Sequence, residues 1–343
     1  MSWISTSFEK AMKAYFIEKL DSTKGEALYN KYESIRNAMI DDNFFKEIKG
    51  QEPYLSDHSE RHIQDVFERT YKVIGEDSFK SFNIYEIYCL AIMILFHDVG
   101  NIRGRNNHHV QAKIAEVYNK YRQNIENFRE ERRIIMVGAS VHTGKSKNGD
   151  SDTLKDVKPD SFEGESIDLT ELASILRFSD ELAEGKQRTC SFLIEKKMID
   201  EDSLIFHKYA QISNIHIDRK LDRITITYNI DIKKPFDDNE KESLRELIEF
   251  SFNRAVKLDV ERRYTKNYSR IIRKFKYVSV RYNFSIEDIP IEMDLQSILF
   301  EDQYPIPGEV FQENEAYGIN TVIKKNSSYS IENLIKEIES KLV

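Results

Sequence analysis

The sequence predicts a mainly α protein, a helical bundle followed by a small α+β domain, and three observations lead there. Only 12 Gly and 6 Pro punctuate 343 residues, which favours long helices with short connections over a many-stranded sandwich. Apolar residues recur at helical spacing through about the first 200 positions, and the period then shifts toward alternation. The length also exceeds that of a usual single domain. Four segments are expected: an N-terminal helical segment over 1–50, the bundle over 51–200, a small α+β accessory domain over 201–287, and a tail with a terminal helix over 288–343.

In the first segment, read as helical, Phe8, Met12, Tyr15, Phe16 and Leu20 have helical spacing, and Ile35, Met39 and Ile40 suggest a second set of turns. Such stripes are packing faces and carry no site chemistry. The bundle then reads as four or five helices. One covers Ser59–Ile74, with Ser56 and Asp57 as cap candidates. A second, Asn83–Phe96, is apolar nearly all round and should be central. The third begins near His108, the fourth covers Glu130–Val141, and the fifth starts near Asp168. Residues 146–166, rich in Ser, Asp, Lys and Gly, read as a mobile loop. Farther on, Tyr209–Ile217 and Arg223–Ile232 alternate as strands, Asp237-Asp238-Asn239 caps a helix to about Arg263, and Lys276–Phe284 returns to a strand. The last amphipathic stretch is Ile331–Leu342.

Composition narrows the function classes. A net charge of −8 argues against a surface that coats nucleic acid, though not against a local basic groove. Two cysteines, Cys89 and Cys190, make no disulfide framework and are expected to be buried small hydrophobes. The longest apolar run, Ile87–Phe96, is half the ~20 residues of a membrane span. A cytoplasmic protein without a membrane partner is the expectation, and a homo-oligomer is compatible with it.

Six of the eight histidines, His58, His62, His97, His108, His109 and His142, fall in one stretch at helix starts and ends. A metal site assembled from several helices needs such a cluster, because each neutral imidazole lends a lone pair to a divalent ion. His97-Asp98 ends the apolar helix, where a carboxylate is costly unless a cation neutralises it. Asp180 falls on the stripe of Leu172 and Leu176 and should face inward. A buried Asp needs a metal or a base, and Arg177 is the alternative partner. His62, four residues before Val66, is placed to point into the bundle, with His58 one turn earlier.

His62 with Val66, Leu95-Phe96-His97-Asp98-Val99-Gly100, and Leu176-Arg177-Phe178-Ser179-Asp180-Glu181-Leu182 together resemble the H…HD…D signature of HD-domain phosphohydrolases, over residues 51–195. The resemblance implies an all-α HD-type bundle in which His62, His97, Asp98 and Asp180 hold a divalent metal that activates water against a phosphoester or phosphoanhydride. Asp98 and Asp180 are then the catalytic carboxylates. His108 and His142 resemble the positions that hold a second metal or bind substrate phosphate; the choice of His108 over His109 is a matter of register. His and carboxylate donors suit Mn, Fe, Ni, Co or Zn, as one or two ions, with Mg a further candidate. Phosphates call for cationic donors, for which Arg103, Arg105, Lys145 and Arg188 are available, the last three being the substrate-binding candidates.

The expected partner is a phosphorylated small molecule, a nucleotide or a nucleotide derivative. Two other readings stand beside it. Arg262–Lys276 holds seven basic residues with interleaved aromatics, which suits an HD-type nuclease on single strands, or else a solvated helix end with its aromatics in the core. A non-catalytic nucleotide-sensing module is the third.

Overall fold

Thr6 and Asn83 each open a helix by the same device. The Thr6 hydroxyl accepts the Glu9 N–H at 3.2 Å while Glu9 takes the Thr6 N–H at 2.7 Å; Asn83 and Glu86 repeat the exchange at 2.9 Å in both directions. The computed structural model describes residues 3–51, 59–122, 128–142, 151–293, 295, 297–302 and 330–342. Its elements run α1 (Ser7–Leu20), α2 (Ser22–Asp41), α3 (Phe44–Gln51), α4 (Glu60–Ile74), the single turn α5 (Glu76–Phe79), α6 (Ile84–Phe96), α7 (Gln111–Tyr121), α8 (Phe128–Ser140), the hairpin β1 (Asp160–Phe162) and β2 (Glu165–Ile167), and α9 (Leu169–Glu181). There follow α10 (Ser191–Glu195), α11 (Glu201–Ile212), β3 (Ser213–Asp218), β4 (Arg223–Ile232), α12 (Asp238–Thr265), β5 (Tyr277–Ile286), β6 (Ile289–Ile291), β7 (Ile298–Glu301) and α13 (Ile331–Leu342). The helical bundle followed by a small α+β part is therefore the fold.

The chain divides into two units, Met1–Ala183 with Tyr264–Lys274, and Glu184–Arg263 with Phe275–Val343. The segment expected over 1–50 lies in the first unit, and the boundary expected at 200 falls inside the second.

In the first unit α6 is the axis. From Ile87 to Phe96 its side chains are wholly buried, and α1, α2, α4, α8 and α9 pack around it. Each buried Ile or Leu there contributes about 1.5–3 kcal/mol. The stretch Ile84–Arg103 is apolar and long enough to cross a membrane by length and composition, but 94% of it is buried within the chain. Two polar knots lock the surrounding helices. Glu9, wholly buried, takes Arg36 and the Tyr32 hydroxyl. Glu131 takes Arg122 together with the hydroxyls of Tyr88 and Tyr118 at 3.0 and 2.9 Å. The N-terminal helices are thus part of the bundle.

Residues 151–166, expected to be a loop, are anchored instead. Leu154, Phe162 and Ile167 are buried, and Phe162 stacks on Tyr88 with ring centroids 5.9 Å apart. The β1–β2 turn has Glu163 and Gly164 at φ 53° and 81°, the left-handed pair that closes a two-residue hairpin. A Ser/Asp/Lys/Gly-rich composition hid those few apolar anchors.

The second unit carries a five-stranded sheet of order β3-β4-β5-β6, with β7 also on β5. β4 and β5 run parallel, Arg223 opposite Tyr277 through Ile232 opposite Ile286; such a pair needs a long crossover, and α12 lies within it. Every second residue faces the core: Ile224, Ile226, Tyr228, Ile230 and Ile232 on β4. The Tyr228 hydroxyl donates to the Ser251 carbonyl of α12 at 2.8 Å. The strand expected over Tyr209–Ile217 begins only at Ser213, because α11 runs to Ile212. Asp200 caps α11 by accepting the Asp202 N–H at 3.0 Å, and Ser203, His207 and Ala210 are buried at helical spacing. Cys89 is buried as expected, whereas Cys190 is exposed. Ser56 and Asp57 lie outside the described residues.

Candidate metal centre

Five segments of the first unit deliver the site. The Ser59 hydroxyl accepts the Arg61 N–H at 3.3 Å and starts α4, which places His62 on the inward stripe with Val66 and Thr70, 1% exposed. At the other end of α6, His97 keeps helical dihedrals as its C-cap, and the chain then tightens into a 3-10 turn at Val99–Arg103. The turn closes against the next loop: a Cβ on Gly100 would stand 1.9 Å from the His108 carbonyl oxygen. Only glycine permits that approach, and it fixes where His108 sits. His142 follows the end of α8, and Asp180 stands in the last turn of α9.

Three imidazoles are oriented alike. The Nδ1 of His97 bonds the Ile94 carbonyl at 2.8 Å, that of His108 the Arg105 carbonyl at 3.0 Å, and that of His142 the Ala139 carbonyl at 2.6 Å. In each case the partner is the carbonyl three residues earlier. A carbonyl only accepts, so each Nδ1 carries the hydrogen and each Nε2 is left to present a lone pair, as in histidines that bind metals.

Those lone pairs converge in two groups, His62 with His97 and Asp180, and Asp98 with His108 and His142. Asp180 Oδ1 lies 3.2 Å from His62 Nε2 and 3.6 Å from His97 Nε2. Asp98, a member of the second group, also reaches the first. Its Oδ2 is 3.5 Å from the Nε2 atoms of His62 and His97, and its Oδ1 is 3.4 Å from His108 Nε2 and 3.7 Å from His142 Nε2. All are buried except Asp180, whose side chain is 25% exposed.

The donor set fits divalent ions. Among the described residues, His97 Nε2 is fully buried and has no hydrogen-bond partner, and the His108 and His142 Nε2 atoms face each other at 3.2 Å. Two lone pairs at that separation repel unless a cation lies between or beside them. Burial would lower the His97 pKa, yet Asp98 and Asp180 outweigh it and hold it up at about 9. A proton there answers the two carboxylates as a metal would. His108 moves the other way, down to about 3, through burial and through His142 and Arg105 against the pull of Asp98; it stays neutral, the form that ligates. Burial would raise Asp180, but His62 and His97 hold it well below the ordinary carboxylate range.

The remaining expected residues divide. Arg105, its side chain 46% exposed, brings Nη1 to 3.9 Å from Asp98 Oδ1. Arg103 pairs instead with Glu116 at the surface. Arg188 belongs to the second unit, where it donates to Glu184 at 2.9 Å. Lys145 and His58 lie outside the described residues. His109 is half-buried and sets its ring edge-on to His108 at 5.6 Å. Arg177, weighed as a partner of Asp180, donates to Thr153 Oγ1 at 2.9 Å and sits over the Tyr264 ring at 4.7 Å. Sequence reasoning missed that role because Thr153 and Tyr264 are distant in the chain. It also missed Asn101, 2% exposed in the turn after Asp98, with both amide atoms lacking a hydrogen-bond partner among the described residues.

A protein-family model, HD-CE, matches residues 52–262. That span runs past the 51–195 of the expected resemblance and takes in β3, β4 and most of α12. No curated protein matches the chain, and no solved structure does.

Proposed function

The chain belongs to the HD-CE family, and on that premise we propose that it is a metal-dependent phosphohydrolase that cleaves a phosphoester or phosphoanhydride in a nucleotide or nucleotide derivative. The observation that carries this reading is the division of Asp98, one oxygen toward His62 and His97 and the other toward His108 and His142. That arrangement favours two ions over one ion and a phosphate-binding histidine. His62, His97 and Asp180 would hold the first and His108 and His142 the second, with Asp98 between them. Bound there, divalent ions lower the pKa of water and neutralise charge on phosphoryl oxygens.

The chain's own groups do the rest. Asp180 is the ligand-group carboxylate most open to solvent, so it can orient the attacking water as well as ligate. Arg105, partly exposed beside Asp98, is placed to meet a substrate phosphate. The Nδ1 bonds of His97, His108 and His142 keep three rings from turning while charge develops.

A small substrate is favoured over a nucleic-acid strand by the state of the basic run. Arg262 is buried against Asp259, the Tyr264 and Tyr268 hydroxyls both engage Asp152, and Phe275 is in the core. The aromatics are occupied in packing and bonding rather than presented for stacking. A cytoplasmic setting belongs to the same proposal, as does self-assembly, which would leave this site within one chain.

The test is a panel of divalent metals against dNTPs, NMPs, cyclic nucleotides and oligonucleotides, run beside Asp98→Ala. Phosphate release lost in that variant supports the reading, and activity that survives it removes the site. Steeply salt-dependent activity on oligonucleotides alone would favour the nuclease. Nucleotide binding that is intact in His97→Ala, with no turnover by the parent protein, would favour a sensor.

A further inference from the structure

The carbonyl of Val141 stands just past the end of α8, immediately before His142. Carbonyls at a helix C-terminus have no partner within the helix and carry its negative end. This one is met by two donors from elsewhere in the first unit. Arg177 Nη1 reaches it at 3.4 Å and the Thr153 hydroxyl at 3.1 Å. Arg177 Nη1 also donates to Thr153 Oγ1 at 2.9 Å, which closes a triangle of bonds around the residue before a ligand. Arg177 lies one turn ahead of Asp180 on α9. One side chain therefore ties the helix that bears a ligand of one group to the backbone that bears a ligand of the other.

Arg177 is itself braced. Its guanidinium lies over the Tyr264 ring, 4.7 Å from the centroid. The Tyr264 hydroxyl donates to Asp152 Oδ1 at 2.9 Å and accepts the Leu154 N–H at 2.9 Å. Tyr268 adds a second hydroxyl to Asp152 at 2.7 Å, and Leu154 is fully buried. The segment that supplies the two tyrosines is pinned to α9 once more, at Glu171, which accepts from Ser269 Oγ at 2.6 Å and from the N–H groups of Arg270 and Ile271 at 2.7 and 3.2 Å.

We propose that Arg177, seated on Tyr264, is the positioning residue for His142: through Thr153 and the Val141 carbonyl it sets the backbone from which His142 reaches Asp98 and His108. It touches neither ion nor substrate. The proposal rests on the two-ion reading above, and it specifies that the second ion depends on a residue outside both ligand groups while the first does not.

The experiment is a titration of the metal-stripped full chain with Mn(II), read as ions bound, stepwise affinities and the electron paramagnetic resonance of the exchange-coupled pair. The parent protein should bind two ions and show the coupled signal. Arg177→Gln should bind the first ion within about twofold of the parent and the second at least about tenfold more weakly, the scale of losing an outer-shell partner. The coupled signal should fade to that of a single ion. Arg177→Lys, which keeps the charge but not the planar fork, should restore part of the second affinity. Thr153→Val, a milder change suited to the case in which Arg177→Gln does not fold, should show the same selectivity to a smaller degree. Unchanged second-site affinity in Thr153→Val and in whichever Arg177 variants fold overturns the proposal. So does an equal loss at both sites, which marks general loosening rather than positioning. A parent protein that binds one ion removes the two-ion reading itself, before any variant is compared.

Discussion

Asp98 turns Oδ2 to within 3.5 Å of the Nε2 of His97, the residue it follows, and leaves Oδ1 for His108 at 3.4 Å. One carboxylate thus faces both histidine groups, and on the two-ion proposal the consequence is asymmetric. Asp98→Ala should abolish high-affinity binding of both ions, whereas His108→Ala should leave one. Each loss should exceed the ~10–100-fold that outer-shell changes cost. Metal content after desalting, measured by plasma mass spectrometry, checks the two stoichiometries.

Gly100→Ala should damage the same centre without removing a ligand. The new methyl would meet the backbone of His108, carbonyl oxygen first, and backbone cannot swing aside as a flexible side chain could. A destabilisation of at least about 1–3 kcal/mol is expected from such overpacking, together with a weaker second ion. Urea unfolding of the metal-free protein and Mn(II) titration measure the two effects separately.

Arg105→Gln should act on substrate rather than metal. The Arg105 side chain is partly exposed and adjacent to Asp98, so its loss should raise KM about tenfold, the scale of one charge-assisted phosphate contact, with metal content unchanged. Steady-state kinetics on whichever substrate the panel identifies decides this.

Glu131 tests the bundle rather than the site. Its carboxylate holds buried Arg122 and two tyrosine hydroxyls. Glu131→Ala strands the guanidinium and should cost about 3–5 kcal/mol. Tyr118→Phe, which removes one hydroxyl from the same knot, should cost about 1 kcal/mol. Chemical denaturation of the two variants gives the comparison.

A pH dependence follows from Asp160. The bond from Arg133, with the Ser161 N–H adding to it, holds the carboxyl below its ordinary value against the opposing effect of burial. A carboxyl depressed in the folded state contributes stability that is full above its unfolded pKa near 3.8 and lost as pH falls through the folded one. Arg133→Gln should therefore lower the melting temperature by about 1–2 °C at pH 7, given the exposed guanidinium, and by less at pH 2. Thermal scans at the two pH values check it.

His97-Asp98 was legible because two polar residues end a helix that is otherwise apolar, and Asp180 because it interrupts an apolar stripe. Those signals are local. Nothing local places the second group: His108 is set by the approach of Gly100 to its carbonyl, and His142 by the end of a helix just past which the Val141 carbonyl is met from α9 and residue 153. The shared Nδ1 orientation of three histidines depends on backbone turns that periodicity does not report. The same limit explains the fold. The almost wholly apolar α6 was readable from its run of apolar residues alone. The anchored hairpin at 160–167 was not, since Phe162 and Ile167 are few among polar neighbours. At α11, alternation around Tyr209–Ile217 competed with a capped helix, and the cap won.

Tyr264–Lys274 has a consequence for how the molecule is made. It belongs to the first unit although the stretch 184–263 is translated before it. During synthesis α9 leaves the ribosome well before Ser269, Arg270 and Ile271, so Glu171 must wait for the donors that satisfy it in the finished protein. The helical unit is therefore completed last-to-first, closed by a segment that arrives after most of the second unit's chain. A fragment that stops near residue 200 lacks its own closing piece, and any attempt to express the helices alone must graft 264–274 back onto them.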